Sequence, residues 1–215
     1  MSGAERCLVV VGGRPDGHGK VVLETARDGM DIRVLGFLDD APQAVVVAGA
    51  RCLGPTSAWR RLAADGASFH VAIGDNGIRK RVADEIVAGG GALARVVHRA
   101  ALVAPSAVIG DGTLVCAGAI LGPGARVGRN CLVNHGVVVE HDGILGDHVN
   151  LSSGTVTGGR VVFEDGAFAG VGVRVIPDVR IGAWGYLGAG AVVTADTAPA
   201  WMYVGVPARR VRRMP

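Results

Sequence analysis

From Ile109 to Val193 every sixth residue is small or apolar, and Thr157 is the one polar exception. The row runs through Val115, Leu121, Val127, Val133, Val139, Leu145, Leu151, Phe163, Ala169, Val175, Ile181 and Leu187. A second such row stands two residues ahead of it and includes Ala107, Ala119, Ala125, Cys131, Val149, Val161, Ala167, Val179 and Ala191. Glycine often follows the first row, as at Gly110, Gly128, Gly146 and Gly170. A period of six matches neither the helical 3.6 nor the strand period of two. It is the mark of a parallel β-helix of hexapeptide repeats. Three hexads make one triangular coil, so residues eighteen apart stack, with their strands about 4.8 Å from each other.

The first ninety-odd residues follow another pattern. Strands are expected at Cys7–Val11, Val34–Leu38 and Phe69–Ile73. Helices are expected from Gly17–Gly19 to about Asp28, over Thr56–Ala64 and over Ile78–Ala88, with a linking strand near Leu93–Val97. Alternating strands and helices imply a small parallel sheet with helices packed on it. The division expected is therefore an α/β domain over 1–95, a β-helix over 96–198 and a capping tail over 199–215. An open column of coils exposes strand edges at both ends. The first domain and the tail are expected to cover them, as capping units do in repeat proteins.

Of 215 residues, 35 are glycine, mostly in the second half, which strengthens the two-part reading. The net charge of +3 is mild. The only dense basic run, Arg209 to Arg213, lacks interleaved aromatics, which argues against nucleic acid as a partner. The four cysteines form no CxxC, and the apolar run before Gly12 is too short for a signal peptide or a membrane span. A cytoplasmic protein without direct membrane contact is expected.

Candidate chemistry lies where the sixfold rule breaks. His141 and Asp142 occupy a corner of the column: an imidazole able to accept a proton near neutral pH, beside a carboxylate able to fix its tautomer. Eighteen residues on lies Gly159, which leaves room above the ring and an exposed amide. A base beside a free N–H is the minimum equipment for acyl transfer, since one takes the proton and the other steadies the oxyanion. Cys116 and Cys131 do not stand beside this base, so no acyl-enzyme is expected. His135 and His148 are further candidates on composition, but with His141 they lack a common face, which disfavours zinc.

In the first domain the loop from Gly12 to Lys20, with Gly13, Gly17, His18, Gly19 and Lys20, joins a strand to a helix, where backbone amides can hold phosphate. It is a degenerate GxGxxG and no Walker A loop, because Val21 stands where Ser or Thr is required. Asp39 and Asp40, ending the second strand, are placed to meet a ribose hydroxyl or a base. Asn76 and Arg79 could cap a helix and pair with phosphates. A domain this small offers about half of a dinucleotide fold, which disfavours hydride transfer.

The GHGK-type loop, FLDD, IGDNGIRKR, VNHGVVVEHDGILGDHVNLSSG and VPARR, in that order, resemble the bacterial nucleotide-sugar N-acetyltransferases with a left-handed β-helix. The resemblance covers nearly the whole chain and lies nearest to members acting on GDP-perosamine. It implies a Rossmann-like domain holding the nucleotide-linked amino sugar, then a left-handed parallel β-helix. It also implies a homotrimer with acetyl-CoA as cosubstrate between subunits, and no metal. The reaction expected is acetyl transfer to the 4-amino group of a nucleotide-linked 4-amino-4,6-dideoxy sugar. By the same resemblance His141 is the base, Asp142 its partner and Gly159 the amide near the thioester. Asn150 stands where many relatives carry a second histidine; it can bond a cofactor but cannot act as a base. UDP-linked sugars, O-acetylation of a sugar or serine, and a non-catalytic nucleotide-sugar scaffold are the alternatives.

Overall fold

A computed structural model describes residues 6–14, 16–29, 32–40 and 46–214. Met1, Pro15 and Pro215, which fall within the ranges read above, lie outside the described residues. The chain forms two compact units, Met1–Arg99 and Ala100–Pro215.

The first unit is built on a four-stranded parallel sheet. Its elements are β1 (Arg6–Val11), α1 (Gly19–Gly29), β2 (Ile32–Leu38), β3 (Val46–Val47), β4 (Ala50–Arg51), α2 (Trp59–Ala64), β5 (Ser68–Val71), α3 (Asn76–Ala88) and β6 (Ala92–Leu93). The strand order is β2-β1-β5-β6, and β3 pairs with β4 as a small antiparallel ladder that the sequence did not announce. Leu8, Val9, Val10 and Val11 are fully buried, as a parallel strand covered on both faces requires. Val9, Val11, Leu38, Phe69 and Val71 pack with Leu62 of α2 and Ile86 of α3. Trp59 meets Phe69 edge-on at 6.2 Å, one of the favoured aromatic geometries. α3 begins two residues before the expected Ile78. Its N-cap is Asp75, whose Oδ1 accepts the Ile78 N–H at 2.8 Å. The linking strand expected over Leu93–Val97 is two separate pieces, Ala92–Leu93 and Val96–Val97.

The second unit is a parallel β-solenoid. Two-residue strands follow at six-residue steps from Leu102–Val103 to Val192–Val193. Each pairs with the strand eighteen residues away: Leu114 with Leu132, Ile120 with Val138, Arg126 with Ile144. Both sequence rows point inward. Val115, Val133, Leu151, Ile181 and Leu187 are fully buried, as are Ala119, Ala125, Cys131, Val149 and Ala167. Only the first positions, Ala107 and Ile109, are half-buried. The final coil departs from the count. Tyr186 pairs with Met202 and Ile181 bridges to Thr197, both at sixteen residues. Trp201–Val204 then pairs antiparallel with Arg209–Arg213.

Each corner of the column needs a residue with positive φ. One corner meets this with glycine at every level: Gly118, Gly136, Gly154, Gly172 and Gly190, with φ from 65 to 72°. A second corner carries Gly124, Asp142, Arg160 and Asp178 in the same conformation. Side chains at those positions cost backbone strain. The third corner also mixes the two, with Asn130, His148 and Trp184 beside Gly112 and Gly166, so the all-glycine corner is the exception.

Candidate active site

His141 projects from that second corner. Its Nδ1 lies 2.9 Å from Asp142 Oδ2. With the carboxylate ionised, the proton sits on Nδ1 and the lone pair on Nε2. One coil further, Gly159 faces the ring: a Cβ built there would overlap Nε2 and Cε1. Glycine is therefore required at 159 for close approach to the imidazole. The Gly159 carbonyl accepts the Asp178 N–H at 3.1 Å, and its N–H donates to no group among the described residues. The structure thus brings together a ring nitrogen with a lone pair, a carboxylate holding the tautomer and an amide that donates to no group among the described residues. The His141 and Asp142 side chains are exposed, whereas Gly159 is buried beside the ring.

Two neighbours fix this turn. The Arg160 N–H donates to the His141 carbonyl at 2.9 Å, and Glu140 Oε2 accepts the His141 N–H at 3.2 Å. Beneath it, Thr157 is buried, and its Oγ1 accepts the Glu140 N–H at 3.2 Å. Elsewhere on this face the corresponding bond runs to a main-chain carbonyl, as Gly122 N–H does to Val139. Thr157, the single break in the apolar row, thus holds the backbone just before the histidine. The sequence exposed the anomaly without its purpose.

The other candidates of this unit lie elsewhere. Asn150 is buried on a different face, where its Oδ1 accepts from Asn134 Nδ2 at 3.2 Å. His135, His141 and His148 stand in turns at three different corners. Among the described residues no group of three or more His, Cys, Asp or Glu side chains is placed to hold a metal ion.

In the first unit a cleft of about 350 Å³ opens at the carboxyl ends of β1, β2 and β5, where parallel α/β sheets bind ligands. Gly17, His18, Gly19, Asp39 and Asp40 line it, with Gly12, Arg14, Thr56 and the Ala72–Gly74 loop. Gly13 lies just behind: its N–H donates to Asp39 Oδ2 at 2.8 Å, and a Cβ there would overlap the Phe37 ring. A Cβ on Gly19 would strike the Gly12 carbonyl, so the helix start and the strand end can approach only through glycine. Asp40 accepts from Thr56 N and Oγ1, each at 2.7 Å.

Lys20, Asn76 and Arg79 do not line this cleft. Arg79 is fully buried, and its Nη1 donates to the Ile73 carbonyl at 3.1 Å and to Asn76 Oδ1 at 2.8 Å. It holds in place the loop carrying Ile73 and Gly74. Nor does Asn76 cap α3, because Asp75 does. His70, which no sequence pattern singled out, is fully buried on β5. Burial pushes its pKa down to about 3, against a partly opposing bond to the Ala94 carbonyl.

Comparison with known proteins agrees with both units. The profile of the PglD N-terminal domain matches residues 7–86, and that of the bacterial transferase hexapeptide (six repeats) matches residues 106–141. A histidine-to-asparagine variant of perosamine N-acetyltransferase from Caulobacter crescentus, solved with CoA and GDP-perosamine, superposes with a TM-score of 0.91. It is 35% identical, over 97% of this chain and 98% of that one. The acetyltransferase domain of PglB from Neisseria gonorrhoeae, solved with acetyl coenzyme A, gives 0.90 at 32% identity, over 97% and 100%. UDP-N-acetylbacillosamine N-acetyltransferase of Bacillus subtilis is 38% identical over 46% of each chain. The match to the bifunctional protein GlmU of Rubrobacter xylanophilus spans only 17% of that protein. The chain belongs to the family of acetyl-CoA-dependent nucleotide-sugar N-acetyltransferases.

Proposed function

We propose that the protein transfers the acetyl group of acetyl-CoA to the 4-amino group of a nucleotide-linked 4-amino-4,6-dideoxy sugar, with GDP-perosamine the preferred acceptor. The neutral amine attacks the thioester carbonyl. His141 Nε2 takes the proton lost from nitrogen, Asp142 steadies the imidazolium, and the Gly159 N–H donates to the tetrahedral oxyanion. Collapse expels CoA as thiolate, which the imidazolium reprotonates, and no covalent enzyme intermediate is needed. The observation that carries this reading is the His141 ring facing Gly159 with Nδ1 held by Asp142.

The cleft lined by the glycine-rich loop, Asp39 and Asp40 would take the nucleotide, with loop amides on the phosphates. Its position at the strand ends supports this, as do the relatives solved with GDP-perosamine. A homotrimer forms part of the same reading. Leu102 and Ile120 stand exposed in neighbouring strands of one solenoid face, an apolar strip suited to a second copy.

The test measures free thiol released from acetyl-CoA with a panel of GDP- and UDP-linked amino sugars, compared by kcat/KM. GDP-perosamine should lead. His141→Ala should lower kcat by about 10²–10⁴-fold while the unfolding midpoint stays put. Undiminished turnover in that variant would remove His141 from the reaction. Nucleotide binding without any thiol release would make the chain a scaffold.

A further inference from the structure

Beside His141 three charged residues follow along one corner of the column, Asp142, Arg160 and Asp178, each with positive φ. Arg160 is anchored to the histidine's own main chain through its N–H. Its guanidinium makes a two-point pair with Asp178, Nε to Oδ1 at 2.6 Å and Nη2 to Oδ2 at 2.8 Å. Such a fork fits any carboxylate presented to it. One coil back stands the Asp142 carboxylate that His141 Nδ1 uses. Two cations, the guanidinium and the protonated imidazole, thus have two carboxylates between them, and the arrangement of partners decides whether His141 keeps its own.

We propose that Asp178 is a positioning residue for the reaction: by gripping Arg160 at two points it keeps the guanidinium off Asp142, so that Asp142 stays with His141. The inference rests on the acetyl-transfer reading of this turn. Among the described residues few charges face His141. They are Glu140 and Asp142 on its own turn, Arg160 on the next coil and Asp178 beyond it, while the preceding coil offers the uncharged Gly122, Pro123 and Gly124. These groups feel one another. Asp178 holds Arg160 above the ordinary guanidinium value chiefly through the hydrogen bonds, and Asp142 adds to the effect. Arg160 in turn holds the Asp178 carboxyl below the usual range, with a contribution from His141.

Asp178→Ala releases Arg160 to Asp142. Expected are a fall of about tenfold in kcat/KM, part of what a general base supplies, and a shift of the acid limb of the pH profile to lower pH. Asp178→Asn, which keeps one bond to Arg160, should fall between the two. Arg160→Ala combined with Asp178→Ala removes the competitor, and should return kcat/KM to within about twofold of the wild type. If Asp178 merely braced the coil, the double variant would be no better than the single one. His141 ring-proton NMR titration of the free protein reads the same displacement and its return without any turnover. Wild-type activity and an unmoved titration in Asp178→Ala would overturn the inference, and so would a double variant that fails to recover. Should His141→Ala retain activity, the catalytic reading falls by that result alone, while the titration still reports whether Arg160 competes for Asp142.

Discussion

The glycine-rich cleft of the first unit and the histidine turn of the solenoid both combine glycines with carboxylates, yet they differ in how much of that chemistry the fold itself uses. In the cleft, Asp39 is engaged by the Gly13 N–H and Asp40 by Thr56, and the glycines at 13 and 19 are demanded by close approach. Each of these four residues has a structural occupation besides any ligand. At the solenoid corner the fold asks only for positive φ, which glycine supplies at every level of a neighbouring corner. Asp142 and Arg160 accept strain that a plain coil does not need. A strict repeat lets equivalent corners be compared. Because Asn130, His148 and Trp184 accept the same strain at the third corner, it is the His141–Gly159 approach and not the strain that sets the second corner apart. An irregular α/β loop offers no such comparison.

That contrast can be broken or sharpened by substitution. The largest effect is expected at Gly159→Ala, where the methyl group would displace the imidazole. Activity should fall about a hundredfold or more, with the column still folded by circular dichroism. Near-normal kcat would mean that the ring and the amide do not act together. In the cleft, Asp39→Ala should show a mixed result, about 2 kcal/mol less stability from the lost charge-assisted bond together with a raised KM for the nucleotide sugar. If KM is unchanged, the carboxylate is a strut and nothing more.

His70 offers a pH test in the same unit. Its folded pKa of about 3 lies far below the ordinary 6.5, so the unfolded chain binds a proton that the folded chain refuses. The cost is absent above the unfolded value and grows as pH falls from about 6.5 toward 3. At pH 5 it amounts to about 2 kcal/mol. His70→Gln should remove that acid-dependent loss in denaturant unfolding. Parallel pH curves for the two proteins would contradict the assignment. The smallest effect is expected at Thr157→Val, which keeps the shape but orphans the Glu140 N–H. A loss of about 1 kcal/mol and a few-fold drop in kcat should accompany it. An unaltered kcat would show that the bond matters to the coil alone.

The solenoid was legible almost residue by residue, because a sixfold period with two inward rows permits a single register, and the eighteen-step count alone pairs His141 with Gly159. What stayed hidden depends on side-chain reach. Arg79 looked like a phosphate ligand because charge on a helix surface and charge drawn beneath a loop read alike in a sequence. Asp75 was overlooked as the cap because Asn76 beside it is also a good one. His70 sat within an apolar strand with nothing to mark its burial. The small ladder of β3 and β4 offered too few residues for a period. The sixteen-residue closing coil was invisible for a related reason: the hexad count ends at Val193, and only strand pairing shows where the chain turns next.

That shortened coil has a consequence for the length of the column. A strand paired at sixteen and then covered by an antiparallel neighbour no longer presents the edge on which another eighteen-residue coil would stack in register. The molecule thus carries its own stop, and growth by duplication has to happen upstream of it. Each coil inserted between the histidine corner and that end would move the two apart by one strand spacing, about 4.8 Å, without altering the corner itself. Distance along the prism and chemistry at the corner can therefore vary independently.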